Sequence, residues 1–226
     1  MSVKLISYSQ INMLDTPGRK PLGLDTPQDL IAYCARVSNP SNQNNTETSE
    51  KLIQYLIKHK HWSPLEMVSA CLEIETTRDI ARQILRHRSF SFQEFSQRYA
   101  DPVKELEFVK REARLQDEKN RQNSIETDNK KLQDEWDTLQ EMLIEDAKQA
   151  YQWAISKGIA KEQARAVLPE GLTMSRMYMN GTLRSWVHYI ELRSANGTQK
   201  EHMEIAQACA VEIAKVFPLI REINEI

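Results

Sequence analysis

The sequence predicts an α+β fold, a helix-rich single domain with a small antiparallel or mixed sheet and one long helix. Three observations support this fold class. Residues 67–76 alternate apolar and polar side chains with the period of a half-buried strand. Residues 132–154 repeat apolar side chains every three or four positions, which is typical of an amphipathic helix. The 226 residues fit one domain and are enough to bury a core.

The elements before the main strand are predicted from local signals. Residues 3–8 are expected to form a short opening strand. Thr26 and Pro27 suit the N-cap and first position of a helix that runs to about Arg36. Residues 38–48, which are rich in Ser, Asn and Thr, then form a loop.

The rest of the chain is predicted to be mostly helical. The strand at 67–76 leads directly into a helix near residues 79–86. The long helix is expected to stop at Gly158, because glycine commonly closes helices. Further helices are predicted around residues 52–57, from about 182 to 193, and from the turn at 195–198 to near Pro218.

Residues 104–131 differ from the rest of the chain in composition. They are dense in charged and amide side chains and contain few large apolar groups. Such a segment cannot bury enough apolar surface to fold by itself. We therefore expect a charged insertion that is flexible or forms an exposed helical arm.

Two apolar groups are interpreted as packing residues. The stripe that begins with Leu132, Trp136, Leu139 and Leu143 is expected to lie in the core, with a subunit interface as the second interpretation. A methionine group is expected to pack in the core or at an interface rather than to form a cofactor site, namely Met174, Met177 and Met179.

Composition and charge exclude several classes of protein. Apolar residues make up 40% of the chain and charged residues 27%, which is ordinary for a soluble globular protein. The net charge of -2 argues against a protein that coats nucleic acid. No apolar run approaches the ~20 residues that cross a bilayer, and the N-terminus lacks a signal peptide. We expect a cytoplasmic protein without a membrane or nucleic-acid partner.

The three cysteines indicate no disulfide framework. Cys34, Cys71 and Cys209 lie far apart and form no CxxC pair, which is consistent with a reducing compartment. Because their neighbours are mostly apolar or small, we expect all three to be small core residues. The sequence therefore offers no obvious cysteine nucleophile.

Chemically informative side chains concentrate in residues 82–99, which read RQILRHRSFSFQEFSQRY. This segment contains no lysine but holds the arginines Arg82, Arg86, Arg88 and Arg98. An arginine fork pairs bidentately with phosphate and with carbonyl edges. The first two arginines would share one face of the predicted helix. The serines can donate to a phosphate, and the phenylalanines can anchor the loop or border a planar ring.

A solvated basic face followed by an ordinary loop is the simpler interpretation of any single arginine in this segment. The cluster as a whole is better explained by binding, because a surface face usually mixes lysine with arginine. The residues indicate an anionic, planar and phosphorylated ligand without naming it.

A spaced motif within this segment carries a family resemblance. Arg86, His87 and Arg88 are followed after seven residues by Ser96, and the fuller pattern RHRxxSxxxxSxR also includes Ser91 and Arg98. This pattern resembles the signature of flavin-dependent thymidylate synthases. Other segments resemble the same family in the same order, namely residues 61–66, 165–169 and 183–193.

The resemblance implies an enzyme that methylates dUMP to dTMP within a flavin-dependent thymidylate synthase fold. It implies FAD as the cofactor, methylenetetrahydrofolate as the carbon donor and NADPH as the source of reducing equivalents. It also implies a homotetramer whose active sites combine several chains. Since the sequence has no G-x-G-x-x-G element, the nicotinamide would bind by a non-Rossmann route.

Roles for individual residues are implied by the same resemblance. Arg193 would be catalytic, facing the uracil and favouring its N3-deprotonated form. The residues implied to touch FAD or lie beside it are Ser63, Arg86, His87, Arg88, Glu94, Thr182, Leu183, Arg184 and His188. Those implied to hold dUMP are Gln83, Arg86, Glu94, Ser96, Gln97, Arg98, Arg165 and Arg193. His61 and Tyr99 are candidates for the folate side, and no metal is implied.

The implied chemistry needs no cysteine. The alternative thymidylate synthase reaction uses a cysteine, in a Pro-Cys context, that attacks C6 of uracil, and none of the cysteines here follows a proline. A reduced flavin can reduce the pyrimidine directly, so the protein contributes positioning and electrostatics.

Two other functions are weighed against this one. A metal hydrolase could use His59 and His61 with His87 or His188, although no carboxylate spacing supports it. Stoichiometric zinc without yellow colour would favour that class. A nucleic-acid-binding module could use the arginine and aromatic cluster, although the charge argues against it. Salt-sensitive binding of single-stranded DNA would favour it, and bound flavin would argue against it.

Overall fold

A computed structural model of the chain describes residues 1–11 and 24–223. Its strands are β1 (Ser2–Tyr8), β2 (Ser69–Thr77), β3 (Ser91–Glu94), β4 (Arg114–Gln116), β5 (Ser124–Glu126) and β6 (Met174–Thr182). Its helices are α1 (Pro27–Ala35), α2 (Ser49–Lys58), α3 (Arg78–Ile84), α4 (Pro102–Glu105), α5 (Lys130–Ser156), α6 (Lys161–Ala164), α7 (Leu183–Ser194), α8 (Lys200–Ile213) and α9 (Leu219–Ile223). Short 3₁₀ turns lie at Pro40–Asn42, Ser63–Met67 and Arg165–Val167.

The main sheet has four strands in the order β1-β2-β6-β3, and each neighbouring pair is antiparallel. Along β2 the side chains of Ala70, Leu72 and Ile74 are buried, whereas Cys71 and Glu73 between them are only half-buried. This alternation confirms the predicted half-buried strand. The helix-rich α+β fold with a small antiparallel sheet is thus confirmed.

The core lies between this sheet and helices α7 and α8. Trp186 and Tyr189 of α7 are buried, and the indole N–H of Trp186 donates to the carbonyl of Ala70 over 3.0 Å. Phe90 packs edge-to-face on Trp186 with ring centroids 4.8 Å apart. A Cβ at Gly181 would lie 2.4 Å from the Phe90 ring, so the glycine is required for this packing. Phe90 therefore anchors the arginine-rich segment to the core, as the sequence allowed.

The structure confirms the predicted start of α1 and the predicted end of α5. The side chain of Thr26 accepts from the backbone N–H of Asp29, and Asp29 accepts in return from the N–H of Thr26, forming a capping box. Pro27 occupies the first position of α1. Helix α5 ends before Gly158, which adopts a φ of 79° in the left-handed region that favours glycine.

The interpretation of the α5 stripe as core is wrong for the first half of the helix. Trp136, Leu139 and Leu143 are exposed by 42%, 60% and 51%. The other side of the helix is covered, where Gln140 hydrogen-bonds to Arg111 and where Tyr151 and Ala154 pack against residues 164–168. Residues 111 and 113 contact the first half of α5 through Gln140 and Gln133, and the apolar side chains on the opposite side of the helix stay at the surface.

Residues 114–126 of the charged segment 104–131 form a docked β-hairpin, so the expectation of a helical arm is wrong. Strands β4 and β5 pair antiparallel, and charged contacts hold them to the body of the protein. Arg111 contacts Asp79 at 2.8 Å, and Arg114 forms an ion pair with Glu201. Lys200 contacts Glu112 and Glu126 at 2.7 and 2.6 Å. Ion pairs thus supply the contacts that the sparse apolar side chains cannot.

Cysteine burial differs from the prediction at two positions. Cys209 is buried, but Cys34 and Cys71 are only half-buried, and all three thiols are free. Met174, Met177 and Met179 are buried, which confirms their assignment to the core.

Among the described residues, no helix is both long enough and apolar enough to span a lipid bilayer.

Candidate active site

The Arg-His-Arg triplet lies in the turn between α3 and β3. Helix α3 begins directly after β2 and ends at Ile84, whose carbonyl accepts from the N–H of His87 over 3.0 Å. Arg82 therefore lies on the last turn of the helix, whereas Arg86 lies beyond its end. The expectation that these two arginines share a helix face is wrong, because the helix is shorter than predicted.

His87 and Arg193 form the first part of the site. The Nε of Arg193 donates to Nε2 of His87 over 2.9 Å. Tyr189 packs edge-to-face on the imidazole with centroids 4.9 Å apart. Burial and the positive charges of Arg193 and Arg86 lower the pKa of His87 to about 4, so its ring is neutral at pH 7. Because Nε2 accepts a hydrogen bond, the single ring proton resides on Nδ1.

Glu94 centres the second part of the site. Its carboxylate accepts from the hydroxyl of Ser175 over 2.9 Å and lies 3.7 and 3.8 Å from Arg78 and Arg82. Glu170 lies 3.7 Å from each of the same two arginines. Two carboxylates and two guanidinium groups thus form one charged wall at the end of β3.

A cavity of about 290 Å³ opens beside this wall. Its lining residues are Arg78, Arg82, Gln97, Glu162, Arg165, Ala166, Leu168 and Glu170. Gln97 is only 3% exposed, and its side-chain Nε2 has no hydrogen-bond partner within residues 1–11 and 24–223. A buried amide without a partner costs roughly 1–3 kcal/mol, so the cavity suits a ligand with a hydrogen-bond acceptor. Arg98 stands at its edge, 3.5 Å from Glu162.

A third group surrounds the beginning of α7. Thr182 caps the helix by accepting from the N–H of Ser185 over 3.3 Å. Arg184 forms an ion pair with Glu66, and His188 meets Trp62 edge-to-face with centroids 4.5 Å apart. Ser63 is exposed at the start of the adjoining 3₁₀ turn.

The arginines of the site fall into two classes. Those that contact a carboxylate are Arg78, Arg82, Arg98 and Arg184. Those that form no ion pair with any described carboxylate are Arg86, Arg88, Arg165 and Arg193. Of these, Arg165 lines the cavity, where its uncompensated guanidinium group attracts an anionic ligand.

Comparison with known proteins identifies the family. The family model described as "Thymidylate synthase complementing protein" matches residues 23–219. A protein of Paramecium bursaria Chlorella virus 1, named "Probable flavin-dependent thymidylate synthase", is 50% identical over 222 residues, 97% of each chain. The chain belongs to the flavin-dependent thymidylate synthase family. This confirms the family resemblance carried by the Arg-His-Arg motif.

Two further proteins extend the comparison. The protein from Synechocystis sp. named "Flavin-dependent thymidylate synthase" is 50% identical over 195 residues, which are 86% of this chain and 88% of the relative. The crystal structure of a UMP/dUMP methylase, PolB from Streptomyces cacaoi, bound with 5-Br dUMP, superimposes with a TM-score of 0.76 at 26% identity. The superposition covers 98% of this chain and 93% of PolB.

The residues implied by the family resemblance differ in their exposure to solvent. Arg86 and Arg88 are exposed, as ligand-binding side chains are expected to be, and Ser96 is half-buried. The side chain of Leu183 is fully buried, and its N–H donates to the carbonyl of Val68 over 2.8 Å. Any contact between Leu183 and a flavin would therefore involve little of its side chain.

The candidates for the folate side are His61 and Tyr99. Tyr99 is 84% exposed, and its carbonyl accepts from Lys161 over 2.8 Å. His61 packs near Tyr55 and His59, with ring centroids 6.4 and 6.2 Å away. Within the part of the chain that the structure describes, no group of three His, Cys, Asp or Glu side chains is arranged to hold a metal ion.

Sequence reasoning missed three residues of the site. Arg78 follows β2 directly and is almost fully buried, and a charged residue at the end of a buried strand was the available signal. Glu170 and Gln199 carried no local signal. Their contacts, with Arg82 and Gln83, join positions far apart in sequence.

Proposed function

We propose that this member of the flavin-dependent thymidylate synthase family converts dUMP to dTMP in de novo dTMP biosynthesis. FAD is the cofactor, 5,10-methylenetetrahydrofolate the carbon donor and NADPH the reductant. The observation that carries the proposal is the cavity beside Glu94, where the buried amide of Gln97 has no partner and the Arg165 guanidinium has no carboxylate. The likeness to PolB, a methylase bound with 5-Br dUMP, supports the same ligand.

The nucleotide fits the charge pattern of this region. Its phosphate would be held by Ser96, Arg98 and Arg165, of which Arg165 lines the cavity and Arg98 stands at its edge. Gln97 would donate to a phosphate or sugar oxygen and so satisfy its buried amide. Glu94 is positioned by Ser175 and two arginines, which suits it to orient a sugar hydroxyl.

Arg193 is the residue proposed to act on the uracil. Its Nε is engaged with His87, so its two terminal nitrogens remain for the ligand. Two parallel N–H donors match two adjacent acceptors on the edge of a deprotonated uracil. The positive charge also stabilises negative charge that develops on the ring during reduction.

The residues around α7 and the triplet fit FAD. Arg86 and Arg88 offer unpaired guanidinium groups to a pyrophosphate, and Ser63 offers an exposed hydroxyl. The half-buried indole of Trp62, which meets His188 edge-to-face, offers an aromatic surface for a ring system. When bound and reduced, FAD supplies the hydride for the pyrimidine. The protein's part is to hold the two ring systems in register and to exclude water from between them.

The co-substrates and their sites are part of the same proposal. Tyr99 presents an exposed ring on which a planar pterin can stack, and His61 is a second folate candidate. NADPH binds without a dinucleotide fold, because the sequence has no G-x-G-x-x-G element.

A homotetramer is proposed from the surface of α5. Its exposed apolar side chains are Trp136, Leu139, Met142, Leu143 and Trp153. A contiguous apolar surface of this kind is typical of an interface between subunits. Assembly would also bring parts of neighbouring chains into one active site. A cytoplasmic location completes the proposal, which the three free thiols support.

The absorption spectrum of the purified protein, recorded with and without dUMP, tests the function. We expect an oxidised-flavin spectrum that changes when dUMP is added, because both ligands would share one site. Formation of dTMP that depends on both methylenetetrahydrofolate and NADPH would complete the test. A protein that takes up no FAD and does not respond to dUMP would contradict the proposal.

A further inference from the structure

A chain of hydrogen bonds crosses the molecule with Gln83 at its centre. On the core side, the hydroxyl of Tyr189 lies 3.2 Å from Nε2 of His202. The other ring nitrogen of His202, Nδ1, lies 3.1 Å from the carbonyl oxygen of Gln83. Tyr189 and His202 are both fully buried, so these partners replace water for two polar groups.

The chain continues from Gln83 to the β4–β5 hairpin. The amide Nε2 of Gln83 donates to the carbonyl oxygen of Gln199 over 2.8 Å. Gln199 in turn donates from its own Nε2 to Glu201 over 3.0 Å. Glu201 ends the chain because it accepts from Arg114 of the hairpin and lies 3.7 Å from Arg111.

The carboxylate of Glu201 at one end determines the direction of every hydrogen bond in the chain. Although burial raises the pKa of Glu201, hydrogen bonds and the charges of Arg111 and Arg114 hold it below its usual value, so the carboxylate only accepts. Gln199 must therefore donate to Glu201 and accept from Gln83. Gln83 must then accept, through its carbonyl oxygen, from His202.

The protonation state of the buried His202 is consistent with this direction of the hydrogen bonds. Burial and the charges of Arg193 and His87 lower the pKa of His202 to about 3, so the ring carries one proton. That proton must be on Nδ1 to reach Gln83, which leaves Nε2 free to accept from Tyr189. Each hydrogen bond in the chain therefore joins one donor to one acceptor.

We propose that this chain orients Gln83 as a hydrogen-bond donor to the nucleotide, with Gln199, His202 and Glu201 as positioning residues. The carbonyl oxygen of Gln83 is engaged with His202, and one amide hydrogen is engaged with Gln199. The second amide hydrogen is left for a ligand, which must present an oxygen or an unprotonated nitrogen there. This inference rests on the proposed function, since that is what brings dUMP to Gln83.

The hydrogen-bond chain also gives a role to the charged segment, residues 104–131. Arg114 lies on β4 and is 87 positions away from Glu201, which it contacts. The hairpin thus anchors the amide of a residue in the proposed nucleotide site. Its charged composition has a functional reason, because an ionised Glu201 is needed to set the direction of the chain.

Substitutions within the chain test the proposal on the FAD-loaded protein. Gln199→Met and His202→Phe each remove one link to Gln83, whereas His202→Asn keeps an N–H near the position of Nδ1. We expect the first two to weaken dUMP binding about tenfold at unchanged FAD content, and the Asn variant to stay within about threefold of wild type. Equilibrium dialysis with labelled dUMP measures the affinity, and steady-state kinetics should show a raised KM with a smaller change in kcat.

A matched control separates positioning from general damage. Arg176→Met removes an ion pair of the same kind, between Arg176 and Glu75 on the sheet, and should bind dUMP as wild type does. Wild-type affinity in both Gln199→Met and His202→Phe would overturn the positioning role while leaving the proposed function intact. A wild-type protein that takes up FAD but does not bind dUMP would overturn the proposed function and with it the donor role of Gln83.

A measurement without substitutions covers the case in which a variant fails to fold. The sequence has five histidines, so ¹⁵N-histidine labelling of the wild-type protein gives few ring signals. We expect His202 to be neutral at pH 7 with its proton on Nδ1. A proton on Nε2 would reverse the chain and overturn the proposal, whether or not any variant folds.

Discussion

The Nε atom of Arg193 donates to Nε2 of His87 over 2.9 Å, joining the last turn of α7 to the turn that carries the Arg-His-Arg motif. Because the pKa of His87 is lowered to about 4, the imidazole accepts this bond without adding a charge. Arg193 therefore keeps its full positive charge and both terminal nitrogens for a ligand. The histidine of the motif acts here as a support for the arginine proposed to face uracil.

The first prediction concerns Arg193 itself. Arg193→Ala should keep the FAD content and the oligomeric state but lower kcat by about 10²–10³, because a preorganised charge next to the reacting ring is lost. Arg193→Lys should rescue little, since a lysine cannot hold His87 and present two parallel donors at once. Single-turnover formation of dTMP measures the effect. Turnover near the wild-type rate in Arg193→Ala would rule out the proposed role.

The second prediction is a loss of stability in mild acid. The folded protein holds the pKa of His87 at about 4 and that of His202 at about 3, below the ordinary histidine value of 6.5. Between pH 6.5 and 4 the unfolded chain binds protons that the folded chain does not, so the free energy of unfolding falls as the pH falls. The contribution of the fully buried His202 at pH 4 is on the order of 3 kcal/mol.

Thermal denaturation at several pH values compares wild type with His202→Asn. The asparagine does not titrate, so Tm should fall less steeply between pH 6.5 and 4 in the variant. The carboxylates that also titrate in this range, such as Glu75 and Glu201, are present in both proteins and cancel in the difference. Identical slopes would show that His202 is not held neutral by the fold.

How far the sequence predicts this structure depends on the range of each interaction. The alternation along β2 and the start of α1, with Thr26 as N-cap and Pro27 at the first position, are local patterns, and both were predicted. The docked hairpin was not predicted, because its main ion pair joins Arg114 to Glu201, which lie 87 positions apart. Periodicity along α5 showed which side chains share a face, but it could not show whether anything covers Leu139.

The residues of the candidate site also differ in whether a local sequence pattern reveals them. Arg86, His87 and Arg88 were identified from a spaced motif whose family has since been established by the comparisons. The neighbours that complete the geometry, such as Glu170 and Gln199, were not identified, since ion pairs and amide contacts between distant segments leave no periodic signal. The motif thus identified the residues proposed to bind ligands, whereas the residues that position them could be identified only in the folded structure.

The third prediction concerns the exposed face of α5. Leu143→Glu, which places a charge among exposed apolar side chains, should dissociate the proposed tetramer and abolish most of the activity. Gln152→Glu adds the same charge at an exposed polar position on the side of the helix opposite Leu143 and should leave assembly unchanged. Light scattering coupled to gel filtration reports the mass. A fully assembled Leu143→Glu protein would remove this face from the interface.

The fourth prediction separates stability from binding at Gln97. This side chain is 3% exposed, and its Nε2 has no partner among the described residues, so the ligand-free protein carries an unsatisfied amide. Gln97→Leu replaces it by an apolar side chain of similar size. The free energy of unfolding should rise by about 1 kcal/mol in the absence of dUMP, because a buried polar group without a partner is removed.

The same substitution should weaken dUMP binding about tenfold, since the nucleotide loses one buried donor. Chemical denaturation of the ligand-free protein and equilibrium dialysis with dUMP measure the two effects independently. Gln97→Glu serves as the opposite control: it keeps the size but places a negative charge near the phosphate, so it should weaken binding far more than leucine. If Gln97→Leu destabilised the protein and left dUMP affinity unchanged, the amide would be structural and the cavity would not be the nucleotide site.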